Sequence, residues 1–499
     1  MGLKSFLSRP LAAYTVNQYR KWALHPEAAQ QRVLRELLRH GPATAFGRAH
    51  DLAAARTAQD FQQRVPVRDY EALSSYIARI KQGEKDVLWP GQPLYLAKTS
   101  GTTSGAKYIP ITRASIGNHI NGAKDALLHY IHHSGKPQFL DGKLMFLSGS
   151  PELEEVAGIK TGRLSGISNH HVPAYLRRNQ LPSYQTNIIE DWEQKLDRVV
   201  AETLGQPMTL ISGIPPWVQM YFDRITARTG KSVGEVFPQF QLFVYGGVNF
   251  EPYRRKLLES IGRPVDTVEL FPASEGFFAF QDQPGNDGLL LLADAGIYYE
   301  FIPAERFFEP NPPRLTLAEV ELGQNYALVV SSNAGLWGYS VGDTVRFVSL
   351  RPHRVVVTGR IKHFLSAFGE HVIGEEVEQT LREVLQQFPE AEVVEFTVAP
   401  RVSDTAAEPS RHEWLVEFAR PPQDAAAFAA ALDAGLRRRN VYYDDLLSGN
   451  ILAPLLLTAL PAGAFQRYMK SQGKLGGQNK VPRLSNDRTL ADGLLNSAM

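Results

Sequence analysis

The chain has 499 residues, 43% of them hydrophobic, enough for two or three domains with proper cores. Its 53 Lys and Arg against 52 Asp and Glu leave a formal charge of +1, so the total does not point to nucleic acid or an anionic membrane as partner. The absence of cysteine removes disulfides, thiol nucleophiles and cysteine-ligated metals together.

At the N-terminus, "MGLKSFLSRPLAAYTVNQYRKW" carries a lysine and a short apolar segment, but Arg9, Pro10 and Arg20 interrupt it before a signal-peptide core forms. In "PEAAQQRVLRELLRHG", Val33, Leu34, Leu37 and Leu38 share one helical stripe, and Gly41 is expected as a glycine C-cap.

The stretch "KTSGTTSGAKYIP", Lys98 to Pro110, gathers small hydroxyl residues and glycines, which let donors converge on an anion without steric obstruction. A Walker A loop requires glycine before its lysine and Ser or Thr after it. Here Ala106 and Tyr108 flank Lys107, and "KYIPIT" reads as an extended strand. Thr103 stands where a hydrolase elbow carries serine. A plain glycine-rich hairpin turn is an equal alternative for these residues taken alone.

Farther on, "MTLISGIP", "FQLFVYGG", "DTVELFPASEG" and "YALVVSSNAG" are short β-rich runs ending in Gly, Ser or Asn, and "EPYRRKLLESIG" reads as a helix. Their alternation predicts a large α/β domain with polar loops at strand ends, where ligand sites tend to lie. Near Arg360 the pattern changes to a small α+β unit: two strands, "EVVEFTV" and "EWLVEFA", with an alanine-rich helix "DAAAFAAALDAGLRRRN". The late apolar run "ILAPLLLTALPAGAF" is shorter than a membrane span and holds two prolines, so a soluble cytoplasmic protein is expected. The tail "GAFQRYMKSQGKLGGQNKVPR", with Arg467, Lys470, Lys474, Lys480 and Arg483 and no acid among them, reads as a solvated, flexible basic loop. Its glycines would let a lysine swing into a site. His170 and His171 in "NHH" lack the Asp of a H-H-x-x-x-D motif and read as loop residues.

Six stretches carry a joint resemblance: "TSGTTSGAKYIP", "YGGVNFEPYRRKLLESIG", "LFPASEGFF", "GLWGYSVGDTVRF", "TGRIKHFLSAFGEHVIGEEVE" and "GGQNKVPR". Their order is that of the nucleotide-binding motifs of the acyl-adenylate-forming superfamily. The wording, together with the upstream "FQQRVPVRDYEALSSYIARIKQGEKDVLWPG", resembles the auxin-responsive acyl acid amido synthetases, the Gretchen Hagen family, over roughly residues 60 to 485.

The resemblance implies an α/β fold: a large N-terminal adenylate-forming domain of β-sheets and packed helices over residues 1–359. A small mobile C-terminal α+β domain would follow over 360–499, hinged at 360–362. It implies ATP as co-substrate, with Ser100, Gly101, Thr102, Thr103, Ser104 and Gly105 around the β- and γ-phosphates and Lys107 adding charge. Gly246 and Gly247 would lie against adenine, Ser274 would touch the α-phosphate, and Glu275 would hold Mg²⁺ and so take part in catalysis. Asp343 would accept from the ribose hydroxyls with Arg360 in support, Lys362 would sit at the hinge, and Lys480 would be the catalytic cation of adenylation. Plainer readings stand beside these: Asp343 as a turn initiator and Glu275 as an acid opening a helix. Phe271 and Ser340 depart from the wider pattern, which has Tyr and Arg at those places.

The partners implied are a small carboxylic acid and an amine, expected to be an amino acid, acted on by a monomer. CoA or a carrier-protein thiol is the alternative acceptor, and a nucleotide sensor without chemistry is a third reading. The segment "GISNHHVPAYLRRNQLPSYQTN" is expected to help line the acyl pocket.

Overall fold

A computed structural model describes residues 2–99, 107–172, 177–189, 191–247, 250–286, 288–361, 364–365, 372–402, 410–448, 452–473, 481–485 and 487–498. The chain divides into two compact units. One comprises Met1–Val341 with Val345–Val357; the other comprises Gly342–Thr344 with Thr358–Met499.

The first unit is organised on a large mixed sheet. Strands Gln180–Leu181, Lys143–Phe146, Met208–Ser212, Leu242–Gly246 and Asp266–Ala273 lie side by side in that order, all parallel. Their runs, "MTLIS" and "LFVYG" among them, are apolar along most of their length because such strands are covered on both faces. Helices Trp192–Thr203, Pro215–Thr229 and Glu251–Ile261 connect them; the last two end on Gly230 and Gly262, both left-handed. Past Asp266–Ala273 the sheet turns antiparallel through Gly276–Phe280 and Leu289–Leu291. A separate four-stranded sheet contains the hairpin Tyr95–Thr99 and Lys107–Ile111, with Ile159–Gly162 parallel to its first strand.

Helix Pro26–His40 buries Val33, Leu34 and Leu37 as the stripe requires. Gly41 follows it, but with φ −56° and ψ −42° it is not the left-handed cap expected from the sequence. It must be glycine for another reason: a Cβ there would stand 2.6 Å from Cη2 of the buried Trp337.

The second unit packs helices Gly374–Gln387 and Ala425–Arg439 against a sheet around Phe396, Val398, Trp414, Val416 and Phe428. Strands Glu392–Arg401 and Arg411–Arg420 pair antiparallel as expected. The sheet has a third strand, Leu456–Leu460, parallel to Arg411–Arg420, inside the apolar run that the sequence reading left without structure. The basic tail departs further from expectation. Ala464–Ser471 is helical, and Arg483 is mostly buried, donating to Glu378 Oε1 at 3.1 Å and bonding Glu395. Its acidic partners come from a helix and a strand distant in sequence, so the local pattern could not reveal them.

Among the described residues no helix is long and apolar enough to cross a membrane.

Candidate active site

The parallel strands of the first unit carry the candidate groups at their C-terminal ends. Leu242–Gly246 pairs with Asp266–Ala273 in a register that sets Gly246 opposite Leu270. A Cβ on Gly246 would meet the Leu270 carbonyl oxygen at 2.4 Å, so close approach of the neighbouring strand already demands glycine. Gly247 has φ +85°, the left-handed conformation that turns the chain away from the sheet.

Ser274 and Glu275 form the two-residue turn between Asp266–Ala273 and Gly276–Phe280, with Ala273 paired to Gly276. Glu275 therefore does not open a helix. Ser274 is buried, and the Tyr339 hydroxyl donates to Glu275 Oε1 at 3.3 Å. Asn118, in helix Ile116–Ser134, clasps the strand after the turn. Its Oδ1 accepts from the Phe277 N–H at 2.6 Å and its amide donates to the Phe277 carbonyl at 3.0 Å. Asn118 escaped the sequence reading because an asparagine within a helical run gives no sign of the strand it will meet.

Among the described residues no three His, Asp or Glu side chains cluster as a metal site. A cation held at Glu275 would meet one carboxylate together with substrate phosphate oxygens and water. That donor set fits Mg²⁺, which keeps much of its hydration and takes few protein carboxylates.

The hydroxyl-rich loop joins two paired strands, with Thr99 opposite Lys107 at the end of the hairpin. Hairpin and anion loop are thus compatible readings. Ser100, Gly101, Thr102, Thr103, Ser104 and Gly105 lie outside the described residues. Lys107 is half-buried, with its ammonium 5.6 Å from the centre of the Tyr70 ring. The Tyr70 hydroxyl accepts from the Tyr108 N–H at 3.0 Å, holding the strand in place.

In the second unit, Asp343 lies within strand Tyr339–Leu350, which sets aside the turn reading. Arg360 ends strand His353–Arg360, and its Nε donates to Asp343 Oδ1 at 2.9 Å. Two further contacts bind these strands: Ile361 N–H to the Gly342 carbonyl at 2.7 Å, and Thr358 Oγ1 to Thr344 Oγ1 at 2.8 Å. Lys362 and Lys480 lie outside the described residues.

His170 closes helix Leu164–His170 rather than lying in a loop, and its Nε2 contacts the Pro151 carbonyl at 2.9 Å. His171 Nε2 contacts the Tyr95 hydroxyl at 3.0 Å, and burial lowers its pKa, with His170 adding to the effect. Lys195 was not singled out in the sequence, because a lysine on an amphipathic helix ordinarily faces water. It is buried, donating to the Ser148 carbonyl at 2.9 Å and the Asn187 carbonyl at 2.7 Å. Burial, helped by nearby Arg163, brings its pKa down to about 8. Of the two departures, Phe271 is a core residue against Phe278 at 5.2 Å, and buried Ser340 donates its N–H to the Arg68 carbonyl at 2.7 Å.

Parallel strands ending in Gly246-Gly247 and Ser274-Glu275, followed by a smaller α+β unit, define the fold class of the adenylate-forming ligases. The chain is similar to 2-hydroxyisobutyryl-CoA ligase in the postadenylation state, with a TM-score of 0.57, 15% identity and 96% and 93% of the two chains covered. It is also similar to the GH3.15 acyl acid amido synthetase, with a TM-score of 0.78, 18% identity and 97% and 96% coverage. The GH3 family N-terminal domain matches residues 15–197, the central domain 290–360 and the C-terminal domain 375–489. The chain belongs to the GH3 family.

Among its relatives, the indole-3-acetic acid-amido synthetase GH3.4 of Arabidopsis thaliana is 22% identical over 97% of this chain and 94% of its own length. The jasmonoyl--L-amino acid synthetase GH3.5 of Oryza sativa subsp. japonica is 21% identical over 95% and 94%.

Proposed function

We propose that this chain is an ATP-dependent acyl acid–amido synthetase that joins a small carboxylic acid to an amino acid. The observation that carries the reading is the match of all three GH3 family domains, in order, along one chain. The relatives' names supply the acceptor: amido and amino acid synthetases make amides, which favours an amine over the thiol of CoA or a carrier protein.

A free carboxylate is a poor electrophile, so the acid is first activated. Its oxygen attacks the α-phosphorus of ATP, the bond to the β-phosphate oxygen breaks, and pyrophosphate leaves. The amine nitrogen then attacks the acyl carbonyl, AMP departs with the bridging oxygen, and the amine proton passes to solvent.

Ser100 through Gly105 with Lys107 would receive the β- and γ-phosphates, Gly246 and Gly247 the adenine, and Ser274 the α-phosphate. Glu275, oriented by Tyr339, would hold Mg²⁺, which when bound neutralises phosphate charge. Asp343 would accept from both ribose hydroxyls, with Arg360 beside it. Lys480 would stabilise the charge that spreads over the transferring oxygens in the first step. Rotation of the segment 360–499 about residues 360–362 would then withdraw Lys480 and admit the amine. The reaction is assigned to a monomer in the cytoplasm, where ATP is supplied.

The test is pyrophosphate exchange into ATP with pooled carboxylic acids, without amine or CoA, comparing the parent with Lys480→Ala. Acid-dependent exchange that collapses in the variant is expected, followed by AMP release that requires an amino acid. AMP release driven by CoA alone, or ATP binding with no exchange for any acid, would overturn the reading.

A further inference from the structure

Helix Leu3–Ala23 is built inside out. The side it packs against helix Ile116–Ser134 and the turn Pro137–Asp141 carries small residues: Ser5, Ser8, Ala12, Val16 and Ala23 are buried. Over its first three turns the large apolar residues point the other way, with Leu3 74%, Phe6 66%, Leu7 56%, Leu11 50% and Tyr14 63% exposed, whereas Tyr19 and Trp22 farther along pack against the core. At about 100° per residue, these five and exposed Pro10 fall within a stripe about 140° wide.

The exposure is not that of a frayed end. The Ser5 hydroxyl meets the Pro137 carbonyl at 2.9 Å and Asp141 Oδ2 at 2.7 Å, the Gly2 N–H donates to the same carboxylate at 2.8 Å, and the Tyr19 hydroxyl donates to Asp125 at 2.9 Å. The helix is pinned at both ends while its apolar stripe faces water.

Charge indicates what the stripe meets. The helix sequence contains Lys4, Arg9, Arg20 and Lys21 and no acidic residue. By the same angular spacing, Arg9 and Arg20 border the stripe on one side and Lys4 on the other, while exposed Lys21 lies in line with the stripe about two turns beyond Tyr14, where its apolar part has ended. An apolar stripe with basic borders is the pattern of a helix that lies in the plane of a bilayer, its apolar side chains among the acyl chains and its cations at the headgroups. We infer that this helix docks the protein on the surface of a lipid bilayer containing anionic headgroups.

A second copy of the chain fits less well. The apolar stripe runs from Leu3 to Tyr14, about 18 Å of helix, and at about 10 Å wide offers roughly 180 Å², well under the ~800 Å² per partner of a stable dimer. A two-fold pairing would also bring the cations of one copy up to a helix that carries no acidic residue to receive them. The near-zero net charge of the whole chain conceals this local excess.

The experiment is flotation of the full-length protein with vesicles of phosphatidylcholine mixed with phosphatidylglycerol, against vesicles of phosphatidylcholine alone. The parent is expected to float with the mixed vesicles and to be released by high salt. Phe6→Ser, Leu7→Ser and Leu11→Ser together should lower the bound fraction at least tenfold while leaving the acid-dependent exchange rate in solution unchanged. Replacing Arg9 or Arg20 by glutamine should cost about fivefold each. No binding of the parent to mixed vesicles, or binding that the triple variant retains, overturns the inference. So does a parent dimer in light scattering that the triple variant converts to monomer, which would assign the stripe to a second copy. None of these outcomes depends on the reaction catalysed.

Discussion

Asp343→Asn probes the nucleotide site without changing its shape. Asp343 is fixed within a strand, its side chain 18% exposed, and Arg360 Nε already engages Oδ1 at 2.9 Å. An amide keeps one acceptor for that arginine but places an NH₂ where the second oxygen stood. If the carboxylate accepts from both ribose hydroxyls, the variant loses one charge-assisted hydrogen bond and weakens the other. At ~1.5–3 kcal/mol for a hydrogen bond to a charged group, the KM for ATP should rise roughly 10- to 150-fold. The assay is pyrophosphate exchange with ATP and with 2′-deoxy-ATP, for parent and variant, forming a double cycle. The parent should discriminate against 2′-deoxy-ATP by about tenfold or more, and the variant much less, because the partner of that hydroxyl is already impaired. A variant within about threefold of the parent on ATP, or an equal 2′-deoxy penalty in both proteins, would refute the ribose assignment.

The first unit holds a buried ion pair. Glu300 is fully buried, and Arg314 grips it through Nε at 3.0 Å and Nη2 at 2.5 Å while Gln62 donates at 3.0 Å. Arg314→Met, leaving the carboxylate without its cation, should destabilise this unit by ~3–5 kcal/mol in urea unfolding, and the double replacement with Glu300→Met should cost clearly less. In the second unit, Glu376 is held by the Ile373 N–H at 3.0 Å and Asn440 at 3.1 Å, and burial pushes its pKa up to about 7. The folded state thus binds a proton that the unfolded chain has released above its ordinary value of 4.5, so this contribution falls as pH rises through that window and is lost above about 7. The loss is on the order of 3 kcal/mol, and Glu376→Gln should flatten that part of the stability profile measured by urea unfolding. Gly246→Ala forces a methyl against the Leu270 carbonyl and should cost ~1–3 kcal/mol in the melting of the first unit; an unchanged melting temperature would show that the strands can part without penalty.

Much of the fold was legible because its signals are local. The apolar stripe of Pro26–His40, the buried runs "MTLIS" and "LFVYG", and the glycine after "EPYRRKLLESI" follow from backbone periodicity and cap chemistry that each segment carries by itself. The order of the short motifs likewise pointed to the family whose domains match the chain.

What the sequence could not supply were the partners met across the fold. It offered Asp343 as a turn residue and Glu275 as the start of a helix, and only strand pairing and the hairpin set those readings aside. It left Arg483 in a solvated loop, when Glu378 and Glu395 receive it. It read Gly41 as a helix cap, when Trp337 requires the missing side chain. The sequence by itself determined most of the segments that become helix or strand, though not strand Leu456–Leu460 or helix Ala464–Ser471, and which residue types were available for chemistry, since those depend on neighbours along the chain. Tertiary structure alone decided which groups are buried, paired or clasped, as Asn118 clasps Phe277 in the strand after the Ser274-Glu275 turn, because those depend on contacts between residues far apart in sequence.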